Sequence, residues 1–213
     1  MHRLLLVLAG GIVALAGSWF AASEAPGLSA PGLPPAQRIA ATRIDVLSPS
    51  LPSRSTILLD CQRLLPAQAG ARAVADDATV VRCEALAKTI LHGNPVFGHA
   101  ELILAQAALY REEADTVWTH LGRSRAMSPA EAWLATPRLS MALSLAGEIP
   151  EMAEAMMQAD LMVTLESEAG LLWAAARYAR DDAFRALVQP AFATITPARQ
   201  QDFLDAVRQL TGS

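Results

Sequence analysis

From Ser55 onward, apolar residues recur at three- and four-residue spacing, the period of helices packed along one face. The pattern predicts a first helix over about 55–66, with Leu58, Cys61 and Leu65 on one side. A second, over about 79–92, places Val80, Cys83, Leu86, Ala87 and Ile90 together. A third, over about 95–112, contains "AELILAQAALY" and is apolar nearly all round, so it must lie between neighbours. A fourth, near 114–126, carries Val117, Trp118 and Leu121.

Further on, "SPAE" (128–131) combines a capping Ser128, a Pro129 suited to the first helical position and a Glu131 that completes a capping box. Pro137 is expected to break or kink the helix that follows, which then runs to Ala146 and stops at Gly147. After Pro150 the stripe Met152, Met156, Ala159 and Val163 predicts another helix. Helices over about 167–180 (Leu172, Ala176, Ala179) and 182–194 follow, then "TPARQQDFLDAVRQL", with Thr196 as its cap. Its apolar side, Phe203, Leu204, Val207 and Leu210, suits a helix that closes the end of the domain. The reading is all-α, with eight or nine short helices and no strand.

Turn signals fall near 111–115, 147–151 and 180–184, at intervals of about 36 and 33 residues. "YREEADTVWTHLGRSRAMSP" is a turn, a second helix, then a small residue and a proline, and "LAGEIPEMAEAMMQAD" is a Gly-bearing turn leading into a helix. Across roughly 95–195 this resembles the tetratricopeptide-like helical-repeat family, whose unit is 34 residues and two helices. The chain departs from that pattern in having Arg111 and Arg180 at turn positions where the family has glycine, and Pro137 within a helix. The resemblance implies stacked helical hairpins, a TPR-like α-solenoid with a concave groove for partner segments, and no catalytic residues. An irregular helical bundle is the alternative.

Two segments precede the helices. Nineteen uncharged residues, Leu4 to Ala22, follow Arg3. As a helix they would span about 28 Å at 1.5 Å per residue, close to a bilayer's hydrocarbon thickness. No further Lys or Arg occurs until Arg38, so the positive-inside rule sets the amino end in the cytoplasm and the domain in a bacterial periplasm. Residues 1–23 are thus a single-pass inner-membrane anchor or, with "AAS" (21–23) as cleavage site, a signal peptide that leaves a soluble periplasmic protein. Residues 24–54 hold six of the thirteen prolines and read as a semi-extended tether. Only "RIAATRIDVL" (38–47) within it has apolar spacing, fit to dock on the domain or a partner.

Composition agrees with a helical domain: 53% of residues are hydrophobic but only 5% aromatic. The net charge of −4, with 19 acidic against 13 basic residues after position 54, leaves no basic stripe for phosphates and excludes a nucleic-acid binder.

Cys61 and Cys83, an even count for an oxidising compartment, are expected to form a disulfide between the first two helices. They are too few for a zinc site. His92, His99 and His120 have no ligand-spaced partners and are expected to be solvated or capping; Glu112-Glu113 and Asp181-Asp182 belong to turns. No nucleotide, metal or nucleophile motif is present, so neither cofactor nor catalytic residue is assigned. Trp118, Trp133 and Trp173 read as packing anchors, any of which would be a partner-binding residue if exposed in a groove. Met152 and Met156 join them, because methionine adapts to varied surfaces although it more often packs in a core. The expectation is a membrane-anchored periplasmic scaffold or adaptor that contacts other envelope proteins, in assembly, secretion or polysaccharide export. The alternatives are a secreted helical domain holding a small apolar ligand and an all-α envelope enzyme.

Overall fold

The computed structural model describes residues 32–47, 50–70, 75–145 and 151–212. The 4–22 segment, the start of the tether and Gly147 lie outside these residues. Among the described residues every regular element is helical. No helix there is long and apolar enough to cross a membrane.

Among the described residues ten α-helices follow one another: α1 (Pro35–Ala41), α2 (Leu51–Leu64), α3 (Asp77–Gly93), α4 (Gly98–Tyr110), α5 (Ala114–Met127), α6 (Ala132–Ala142), α7 (Glu151–Glu166), α8 (Glu168–Tyr178), α9 (Asp182–Phe192) and α10 (Pro197–Thr211). A 3₁₀ turn, Ile44–Val46, lies between α1 and α2. Five starts among the described residues carry a side chain that accepts an orphan amide of the first turn. Ser50 accepts from Ser53, Asp76 from Thr79, Ser167 from Gly170, Asp181 from Phe184 and Thr196 from Arg199.

The tether reading is corrected from residue 32 on. Pro34 and Pro35 start α1, because proline's missing amide costs nothing in a first turn. Ile39 is 1% exposed among α2 and α3. Arg82 of α3 donates to the Ile39 and Thr42 carbonyls at the end of α1. Arg38 meets Asp60 of α2 in a bidentate pair. The folded domain therefore includes the 38–47 patch.

Packing is between close neighbours. Helices α2, α4, α6 and α8 touch in sequence and form one row; α5, α7 and α9 form a second; α4 pairs with α5, and α6 with α7. α1 packs on α2 and α3 at one end, and α10 packs on α8 at the other.

α4 belongs to two cores at once. Ala100, Ile103, Leu104 and Ala107 pack with α1–α3, while Leu102, Ala105, Ala108 and Leu109 pack with the helices that follow. This explains why its sequence lacks a polar face: every residue from Gly98 to Leu109 is buried. Gly98 is required there, since a Cβ would sit 2.5 Å from Ser128 Oγ and 2.9 Å from the Ser124 carbonyl.

Four local expectations change. Ser128 ends α5 instead of opening α6, its amide bonded to the Ser124 carbonyl, and Glu131 caps α6 without a side-chain bond. Pro137 sits inside an unbroken α6, which ends at Ala142 rather than 146. In α7 the buried apolar row is Ala153, Met157, Leu161 and Leu165, one to two residues on from the expected stripe; Met156, Ala159 and Val163 are half-buried. In α8, Leu171, Ala174 and Ala175 are buried, whereas Leu172 is exposed.

Candidate functional site

Two polar arrangements hold the row of helices together, and a third leaves hydrogen-bonding capacity unfilled. Cys61 of α2 and Cys83 of α3 form the expected disulfide, with Cα atoms 5.7 Å apart. Both are fully buried, directly beneath the α1 attachment made by their neighbours Asp60 and Arg82.

The centre of the second arrangement is Arg138 of α6, a fully buried arginine. It forms a bidentate pair with Asp160 of α7, and its remaining donors reach Ser124 Oγ and the Ser128 carbonyl of α5. Arg125 adds a third bond to Asp160 at 2.9 Å. One cluster thus ties three helices with nearly every donor matched, the condition under which a buried ion pair is tolerated. The sequence reading missed it. The available signal was a lone charge inside each of two apolar runs, "ATPRLSM" and "MQADLMV".

The third arrangement lies on α4 where α2 and α6 meet it. His99 is 2% exposed, not solvated as expected. Its Nε2 lies 2.9 Å from Gln62 Oε1, an acceptor, so Nε2 carries the proton and Nδ1 keeps a lone pair. Burial pushes the imidazole down to about 4, which holds it neutral at neutral pH. Two turns on, Gln106 donates to the Gln62 and Pro66 carbonyls. His99 Nδ1 and Gln106 Oε1 are buried acceptors without a partner.

The indole of Trp133 stands edge-on to His99, with ring centroids 4.8 Å apart, yet is 48% exposed. The 66–70 loop is fastened at the far end of α6, Gln68 donating to Ser140 Oγ and the Ala69 amide to Ser144 Oγ just past the helix. Gln62, Gln106, Ser140 and Ser144 had no role in the sequence reading. Amides and hydroxyls carry no spacing rule that would single them out.

The other expected partner-binding residues do not join Trp133. Trp118 is half-buried against the core, and Trp173 is half-buried edge-on to Phe184 at 5.7 Å. Met156 is half-buried in α7, and the Met152 side chain lies outside the described residues. His120 also departs from expectation: its Nδ1 lies 2.6 Å from Oε2 of the buried Glu101, joining α5 to α4. His92 is exposed, Asp181 caps α9, and Glu112 sits in the α4–α5 turn. Among the described residues no three His, Cys, Asp or Glu side chains gather as a metal site would require.

Two open grooves lie at the α10 end. One, of about 550 Å³, runs between α8 and α10; Leu171, Leu172 and Ala206 form its apolar part, and Glu168, Arg199 and Asp202 its charged rim. The other, of about 400 Å³, lies between α9 and α10 against Tyr178, Phe192 and Phe203. Comparison of the chain with family models, curated proteins and solved structures finds no match to any of them.

Proposed function

We propose that this chain is a membrane-anchored periplasmic scaffold, a TPR-like stack of helical hairpins that docks another envelope protein at the surface of α6 around Trp133. The observation that carries the reading is Trp133: a large aromatic left 48% exposed on a rigid helix, braced edge-on by a buried histidine. An indole in that setting gives contact area with little entropy to lose, and such residues dominate binding energy at protein interfaces. Helices that pack mainly on sequence neighbours also suit a hairpin stack. Both grooves at the α10 end are open, and one is rimmed with charge, as fits a protein surface better than a closed pocket for a small apolar ligand. The anchor at residues 4–22 and a periplasmic location rest on the sequence pattern alone. Polysaccharide export, secretion and envelope assembly are the proposed settings, by analogy with tethered adaptors.

The test is crosslinking of the full chain in native membranes, followed by mass spectrometry, with Trp133→Ala beside wild type. A protein partner recovered reproducibly with wild type and lost with Trp133→Ala at equal folded abundance supports the reading. Absence of any reproducible partner, or one indifferent to Trp133, overturns it.

A further inference from the structure

Twelve residues, 23–34, separate the uncharged 4–22 stretch from the start of α1. A chain of that length reaches about 40 Å at full extension. α1 is in turn fixed to α2 by the Arg38–Asp60 pair. The α1–α2 end is therefore the part of the folded domain tied most closely to whatever embeds residues 4–22.

The outward side of α2 is apolar and free of acid. Its exposed positions Pro52, Thr56, Leu59 and Arg63 fall at i, i+4, i+7 and i+11 and so share one side of the helix, with Leu51 at its start. Leu51 and Leu59 are 55% and 37% exposed, and Leu33, two residues ahead of α1, is 39% exposed. Arg63 closes the row at 65% exposure. No carboxylate of α2 points this way: Asp60, the one acidic residue of α1 and α2, is buried in its pair with Arg38. Against that aspartate the two helices carry Arg38, Arg54 and Arg63. The 3₁₀ turn adds Arg43 and Asp45, which pair with each other. The opposite end differs, since Leu172 shares its groove with Glu168, Asp202 and Asp205.

Leucines beside arginine, without carboxylates, suit a helix lying in a lipid interface, its apolar side chains at the headgroup–acyl boundary and its cations on phosphates. We propose that the outward face of α2, with Leu33, rests on the anionic headgroups of the membrane that holds residues 4–22, leaving the α10 end away from the bilayer. A short linker raises the effective concentration of one site at another to the order of millimolar, so this face need bind lipid only weakly to stay seated. The inference rests on the anchor reading and adds to it which side of the domain meets the bilayer.

The experiment reconstitutes the full chain, at low density and with no other protein, into vesicles of phosphatidylcholine alone or mixed with phosphatidylglycerol. Both native cysteines are joined in the buried disulfide, so a fluorophore attaches only at an introduced Leu59→Cys or, as control on α10, Leu204→Cys. The readout is quenching by lipids that carry a nitroxide on the headgroup. With phosphatidylglycerol present, the Leu59→Cys probe should be quenched several-fold more than the Leu204→Cys probe. The difference should shrink on phosphatidylcholine alone, in high salt and with Arg63→Gln, an exposed change whose fold circular dichroism will check. A chain that does not float with vesicles after alkaline washing overturns the anchor and this proposal together. A chain that floats with both probes quenched alike, or with quenching indifferent to lipid charge, overturns this proposal and leaves the anchor standing. A blue shift of the Leu59→Cys probe that arises only as protein density rises assigns the face to a second copy and overturns the proposal too.

Discussion

Arg138 meets Asp160 through two near-parallel hydrogen bonds, Nε to Oδ2 at 2.8 Å and Nη2 to Oδ1 at 2.7 Å, where neither side chain is more than 1% exposed. Removing one partner strands the other charge in the core, a loss of about 3–5 kcal/mol. Asp160→Asn is expected at the upper part of this range, because it leaves both Arg138 and Arg125 without a counter-charge. The paired change Arg138→Met with Asp160→Leu should cost much less than the two single losses added together. Urea unfolding of the four chains measures the non-additivity.

His99 should impose a pH dependence on stability. Its folded value of about 4 lies below the ordinary 6.5, so between these values the unfolded chain binds more protons than the folded one. Stability is full above pH 6.5 and falls as acid carries the solution toward pH 4, by about 3 kcal/mol in all at 1.36 kcal/mol per unit. His99→Gln, which does not titrate, should flatten this slope. Denaturation midpoints of both chains from pH 7.5 to 4 decide it, and equal slopes would refute the assignment.

The disulfide spans 22 residues, and closing a loop of that size stabilises by about 3 kcal/mol. Cys61→Ala with Cys83→Ala should lower stability by roughly that amount. It should also loosen α1 first, since α1 hangs on Asp60 and Arg82, each next in sequence to a half-cystine. Hydrogen exchange rising in residues 35–47 ahead of α6 and α7 is the expected signature.

Glu112 adopts a φ of +61° in the turn between α4 and α5, a conformation that disfavours side chains. Its amide closes the end of α4 on the Leu109 carbonyl. Glu112→Gly should relieve the strain and raise stability by about 0.5–1 kcal/mol, partly offset by the freer unfolded chain. A lower melting temperature would contradict this account.

Helices whose apolar residues fall on one side were legible in the sequence, and α3 is the clearest: Val80, Cys83, Leu86, Ala87 and Ile90 are the residues it buries. α4 was legible for the opposite reason, having no polar side to leave outside. The register of α7 was not, because its run "MAEAMMQADLMVTL" is apolar in more than one direction. What fixes the rotation is Asp160 turning inward to Arg138, a long-range pairing that no local pattern contains. The α1 segment was misread because prolines signal an extended chain until a neighbour supplies a surface for Ile39. The candidate site was half visible. Trp133 stood out by its type, but His99 beneath it was expected to meet water, since only tertiary packing against Gln62 and Trp133 encloses it.

Because α4 is gripped from both sides, neither half of the molecule can melt without stripping a flank from the other. A melting front starting at Pro35 or at Thr211 reaches a rod still held by intact neighbours, and there it must either stall or carry everything with it. Calorimetry should therefore register one transition for a molecule with two greasy centres, and a second peak would mean that this central rod lets go of one side early.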